Sequence, residues 1–289
     1  MERFIYIRAA TVQEAVQLLN DPGLKNRALA GGTDILLQLR HDPHYCDRLI
    51  DVSLIQELHE ISEKGNRVFI GAAATFNEVM HSPVVQSHAP VLVQACHSVG
   101  AVQVRNMGTL GGNVINAAAC ADSLPALICL DASAHISTSS GEMTLPVNEL
   151  VLQPNRTSLP AGGLLTAVSF PIPPEGSRST FLKLGRRNAM AISRLTVAAL
   201  GYLDAAGTIV EARLVTGSAT PRIERLTHVE EMLVGEYPSD ELFTAAAQKT
   251  VDEMLRLSGY RWSSEYKIPA LTTMTRRILS MVFTNGGEL

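Results

Sequence analysis

Cysteine is scarce in this chain, and what there is of it is scattered. Cys46, Cys96, Cys120 and Cys129 form no C-x-x-C pair. That spacing excludes a zinc ribbon or an iron–sulfur cluster held by this chain alone. No metal ligand is therefore assigned, and the thiols are expected to be buried and reduced, as in the cytoplasm. Long apolar runs are missing too. No stretch of eighteen apolar residues occurs, so no membrane span is expected. The start, MERFIYIRAA, lacks the charged and then apolar segments of a secretory signal. Net charge is −4 without a basic stripe, which argues against a nucleic-acid partner. Neither a Ser/His/Asp constellation nor a carboxylate pair can be assembled, so no catalytic residue is assigned.

What the chain does contain is glycine in telling places. The stretch Gly100 to Asp131 reads GAVQVRNMGTLGGNVINAAACADSLPALICLD. It sets Thr109, Leu110, Gly111, Gly112 and Asn113 together, with Asn116 and the isolated acid Asp122 after them. Apolar flanks (Val102, Val104, Val114, Ile115) put this segment inside or half inside the molecule. Buried irregular backbone needs hydrogen-bond partners. A large polar ligand would supply them; a packed structural turn is the alternative.

A second glycine segment, Leu29 to Leu36, reads LAGGTDIL. A short apolar run ends at Gly31-Gly32, and Thr33-Asp34 stand where a helix cap belongs. Strand, glycine turn and helix start make an anion-binding geometry. A tight turn with a Thr or Asp cap is the competing reading. The segment is neither a Walker A loop nor G-x-G-x-x-G.

Taken in order, the chain predicts an edge strand at Phe4-Ile5-Tyr6 and a capping box at Thr11–Glu14, opening a helix with Ala15, Val16, Leu18 and Leu19 inward. Strands follow at Arg27–Ala30 and Leu49–Val52, with a helix between them that ends near His41. Strand Arg67–Ala74, helix Ala89–Val99, a helix from Ser123 and a hairpin across Ser139-Ser140-Gly141 come next. Pro171-Ile172-Pro173-Pro174 mark a domain boundary. Beyond it, strands at 180–186, 195–203 and 209–216 precede helices at 226–234, 240–257 and 266–283, an α+β unit.

Three segments, GGTDILLQLR, VRNMGTLGGNVINAAACADSLPALICLDA and FLKLGRRNAMAIS, together resemble the FAD-binding medium subunit of the molybdenum hydroxylases, the family of xanthine dehydrogenase and carbon monoxide dehydrogenase. The resemblance spans essentially the whole chain. It implies an α+β fold: a vanillyl-alcohol-oxidase-like, PCMH-type FAD domain over 1–176, with subdomains of about 1–58 and 59–176, and a small α+β C-terminal domain over 177–289. It implies that Leu29, Ala30, Gly31, Gly32, Thr33, Asp34, Ile35 and Leu36 wrap the pyrophosphate, with Asp34 capping backbone N–H groups instead of facing phosphate. By the same resemblance Thr109, Leu110, Gly111, Gly112 and Asn113 meet phosphates and flavin, followed by Asn116. Asp122 accepts from ribose or ribityl hydroxyls, unless it is only a helix cap. Leu165 borders adenine or ribose, and Lys183 reaches the FAD. Arg186 to Ile192 is the loop beside the flavin ring, though its apolar residues could equally be core.

The function implied is electron transfer through a non-covalent FAD to an acceptor, expected to be NAD. Molybdopterin would sit in a large partner subunit and two [2Fe–2S] clusters in a small one. Two rivals remain at this point. One is a self-sufficient flavin oxidoreductase; the other is an assembly scaffold that has lost its flavin.

Overall fold

The structure is a computed structural model of one chain, and it describes residues 4–187 and 189–284. The first unit is a small three-stranded parallel sheet, order β1-β3-β2, built from β1 (Ile5–Arg8), α1 (Val12–Leu19), β2 (Asn26–Leu29), α2 (Ile35–His41) and β3 (Arg48–Asp51). Thr11 caps α1 by accepting from the Glu14 N–H. The expected capping box is incomplete, because Glu14 reaches one residue further back and accepts from Ala10 N–H at 2.7 Å. Val12, Ala15 and Val16 are the buried face of α1, while Leu18 and Leu19 are only half-buried against the same cluster.

The second unit opens with a 3-10 turn at Gln56–His59, then β4 (Ile61–Lys64) and β5 (Arg67–Gly71). Helices α3 (Phe76–His81), α4 (Pro83–His88), α5 (Pro90–Ser98), α6 (Val102–Arg105), α7 (Leu110–Asn116) and α8 (Ser123–Cys129) follow. The chain returns through β6 (Ser133–Thr138), β7 (Gly141–Pro146), α9 (Val147–Leu150), β8 (Val151–Gln153), β9 (Arg156–Thr157) and β10 (Leu164–Pro171). Its antiparallel sheet runs β4-β5-β10-β6-β7. The complete capping box lies here: Thr75 accepts from Glu78 N–H at 3.1 Å, and Glu78 accepts from Thr75 N–H at 2.7 Å. Two reciprocal bonds of this kind satisfy donors that a helix start otherwise leaves open.

The last unit is a three-stranded antiparallel sheet, β11 (Arg178–Gly185), β12 (Ser193–Leu203) and β13 (Ile209–Gly217), with α10 (Thr227–Leu233), α11 (Asp240–Ser258) and α12 (Ser264–Phe283). Period-two alternation splits β12. Leu195, Val197 and Ala199 pack on the helices, while Ala198 and Leu200 join the core of the second unit. Burying a leucine fully contributes about 2 kcal/mol, so both faces of this sheet are held firmly. Gln94 on α5 fixes β11 laterally, its Oε1 accepting from Phe181 N–H at 2.7 Å and from Thr180 Oγ1 at 2.9 Å. The fold is α+β. Among the described residues no helix is long and apolar enough to cross a membrane.

Candidate functional site

The first glycine segment leaves β2 at Leu29 and turns beside the second. A side chain on Gly31 would start 1.9 Å from the Met107 carbonyl oxygen and 2.9 Å from Gly108 Cα. The two segments therefore touch backbone to backbone, and only glycine permits it. Gly32 sits at φ +73°, in the left-handed region. Among the described residues, the N–H groups of Gly31, Gly32, Thr33, Asp34 and Ile35 have no acceptor. A helix start leaves its first N–H groups open, and here the glycine turn ahead of α2 extends that to five consecutive donors. Asp34 does not cap them, contrary to expectation. Its backbone is helical (φ −108°, ψ −49°), not extended as a capping residue requires, so the carboxylate points outward and is exposed. Leu36 and Met107, 47% and 58% exposed, flank this turn with apolar surface.

The second segment departs from expectation. It is no irregular loop in want of a ligand for its backbone. Leu110 N–H donates to Ala74 O at 2.9 Å, Gly111 N–H to Ala72 O at 3.0 Å, Gly112 N–H to Thr109 Oγ1 at 3.0 Å and Asn113 N–H to Thr109 O at 3.0 Å. Thr109, not a ligand, caps α7. Gly111 is buried against Ala72, whose Cβ an added methyl would meet at 2.6 Å. Gly112 is different: it is exposed, and an added Cβ would meet only Thr109 Oγ1, at 2.8 Å. Asn113 accepts from Ser123 Oγ at 2.7 Å, tying α7 to α8. Asn116 is half-buried at the end of α7.

Asp122 stands at the start of α8 but makes no cap bond. Its side chain turns to the last unit. Lys183 Nζ lies 2.6 Å from Oδ2, Ser193 Oγ donates to Oδ1, and Lys183 also donates to Ser98 O at 2.9 Å. The carboxylate is 6% exposed and the lysine 14%. Burial pushes the Asp122 carboxyl up, and Lys183 is the strongest force holding it down. Cys120, two residues earlier, is likewise pushed up by burial, then by Asp122, with Asp34 adding to it. Asp34, Cys120, Asp122 and Lys183 thus share one electrostatic neighbourhood, spanning all three units.

Leu165 is 4% exposed and packs in the main core, paired across the sheet with Ile136. Met190 and Ile192 are 58% and 78% exposed, which rules out the core reading of their loop. Met190 takes φ +50° while its carbonyl accepts from Arg187 Nε at 3.1 Å. Asn188 lies outside the described residues. The sequence reasoning missed Ser193 and the Ser98 carbonyl, because nothing in their local pattern marks them as partners of a distant acid. A cleft of about 680 Å³ lies elsewhere, lined by Asp131, Asn148 and Glu224–His228. None of the assigned residues lines it, and its Arg225 is bound to Glu230 and Asp131.

A chain with this glycine turn and capped glycine helix matches a flavoprotein subunit of the molybdenum hydroxylases. The chain belongs to the family described as the FAD binding domain in molybdopterin dehydrogenase, matched over residues 2–173, and residues 180–282 match the CO dehydrogenase flavoprotein C-terminal domain. It is 34% identical over 288 residues to the xanthine dehydrogenase FAD-binding subunit of Escherichia coli O157:H7, covering 98% of each chain. It is 27% identical over 278 residues to the carbon monoxide dehydrogenase medium chain of Hydrogenophaga pseudoflava, covering 96% of each. A solved carbon monoxide dehydrogenase from that organism superposes with a TM-score of 0.90, at 27% identity and 97% coverage of each chain. The chain is thus an FAD-binding oxidoreductase subunit.

Proposed function

We propose that this chain is the electron-transfer subunit of a heteromeric, xanthine dehydrogenase-like molybdenum hydroxylase in the cytoplasm. It would take electrons from two [2Fe–2S] clusters on a small partner subunit and deliver them to NAD⁺, while a molybdopterin-bearing large subunit oxidises the substrate. The observation that carries the reading is the run of free amides from Gly31 to Ile35. Those donors suit a pyrophosphate, and the apolar rim at Leu36 and Met107 suits an aromatic ring system. When bound, FAD supplies the redox chemistry; the protein supplies binding, orientation and electrostatics. Residues 1–176 would hold the cofactor and 177–289 would complete its site through Lys183. Exposed Met190 and Ile192 would shield the flavin or meet a partner.

Acid denaturation and filtration of the purified chain should release one FAD per chain. Yellow colour left on the polypeptide would refute non-covalent binding, and FMN in the filtrate would refute the pyrophosphate assignment. The purified chain should also reduce a dye with NADH and no organic substrate. A chain inert to NADH but reduced by a quinol would make a quinone, not NAD⁺, the acceptor.

A further inference from the structure

The end of the C-terminal sheet that carries Ser193 also carries positive charge without a counterion. Gly185 pairs with Ser193 and Leu184 with Leu195, so Arg194 is the bulged residue of β12. Freed from the ladder, its guanidinium lies 5.4 Å from the centre of the Tyr266 ring. Lys267, the next residue on α12, donates to Ser218 O at 2.6 Å. Ser218 takes φ +58° and donates to Ala119 O at 3.0 Å, in the connection between α7 and α8 that leads to Asp122. Arg261 is held in the α11–α12 turn, donating to Ser258 O at 2.9 Å.

Arg194 reaches the ring of Tyr266, the neighbour of Lys267 in the chain, and Arg261 N–H donates to Ser264 Oγ at 2.8 Å, so all three cations gather at the start of α12. Burial lowers the Lys267 pKa, and the charges of Arg261 and Arg194 lower it further. Lys267 also lies in the first turn of a 20-residue helix, where the dipole disfavours a cation. Among the described residues none of the three forms an ion pair with a carboxylate, and the neighbouring Glu265 forms none with them. Arg213 and Arg225, by contrast, are each paired with carboxylates. Like charges gathered this way are unfavourable until an anion joins them. Aromatic surface surrounds the cluster in sequence: Tyr260 and Trp262 are 67% and 87% exposed on either side of Arg261. Cations with exposed aromatic rings suit a phosphate that carries a base.

We propose that Arg194, Arg261 and Lys267 form a binding site for the phosphates of a nucleotide, positioned to hold the dinucleotide electron acceptor beside the Asp122–Lys183 neighbourhood. The inference rests on the NAD⁺ reading above, and its test separates the two. Trp262 is the only tryptophan in the chain, so its fluorescence reports ligand directly. Titration of the FAD-loaded chain with ADP should quench it saturably, and inorganic pyrophosphate should compete. The double variant Lys267→Gln/Arg261→Gln should bind ADP about ten- to a hundredfold more weakly. Its KM for NADH should rise by a similar factor at unchanged kcat and FAD content. Lys267→Arg keeps the charge and should stay within about threefold of the parent.

If ADP binds and the double variant loses it, but NADH is never oxidised, the site stands and the NAD⁺ reading falls. If NADH is oxidised with equal KM by parent and variant, the site falls and the acceptor reading stands. Pyrophosphate that fails to displace ADP also overturns it. So does a double variant that binds ADP normally but no longer assembles with its partner subunits, because the charges would then serve a protein interface.

Discussion

The two glycine segments look alike in sequence and do opposite things with their backbones. Around Gly31-Gly32 the amides are free; around Gly111-Gly112 they are already bound to Ala72, Ala74 and Thr109. One segment offers donors to a ligand. The other is a scaffold that holds the first in place, through the contact of Gly31 with Met107 and Gly108. A glycine pair therefore carries two separable demands: where the chain must bend, and where something must come close.

The comparison breaks most severely at Gly31. Gly31→Val drives a side chain into the Met107 carbonyl and should part the two segments. We expect FAD occupancy near zero and a large loss of melting temperature, since overpacking at backbone exceeds the usual cost of about 1–3 kcal/mol. Near-normal absorbance at the flavin bands would show that the contact does not matter. Removing charge at the shared neighbourhood comes next. Asp122→Asn leaves the Lys183 ammonium buried without its partner, which typically costs about 3–5 kcal/mol. Adding Lys183→Met should recover most of that stability in urea titrations; an additive double variant would mean that the pair is not coupled.

Gly112→Val sharpens the comparison further. Gly112 is the exposed glycine of its pair, so the variant should keep a melting temperature within a few degrees of the parent yet bind FAD at least about tenfold more weakly. Full occupancy would leave the second segment purely structural. The smallest effect is expected at His135 on β6. His135 is pushed below its ordinary value, first by burial and then by Arg67, while it bonds Ser169 at 2.8 Å. A lowered imidazole contributes stability above its unfolded value of about 6.5, and that stability is lost as pH falls through the lower folded value. His135→Gln should flatten the melting curve against pH below about 6.5 without changing FAD retention. An unchanged pH slope would remove His135 as its cause.

Much of the architecture was legible. The hairpin at Ser139–Gly141 and the three strands after Pro174 rest on local rules, and local rules suffice for them. The status of the second segment was not legible, because whether an amide is free depends on where Ala72 and Ala74 come to rest. Asp34 was misread for a related reason: residue type suggests a cap, while the dihedral angles decide it. Asp122 was recognised as special, but its pairing with Lys183 on β11 was not. An ion pair between residues 61 apart in sequence has no local signature.

The proline segment after β10 divides the chain on paper more sharply than in substance. Phe181, Ala198, Leu200 and Val215 complete the core of the unit before it, and Gly217 lies against Pro125 so closely that a Cβ there would sit 2.6 Å from the ring. Until the strands after the proline segment have emerged from the ribosome, an apolar face of the preceding unit has no cover. For the same reason, exchanging the C-terminal piece for another would require recutting the surface beneath it.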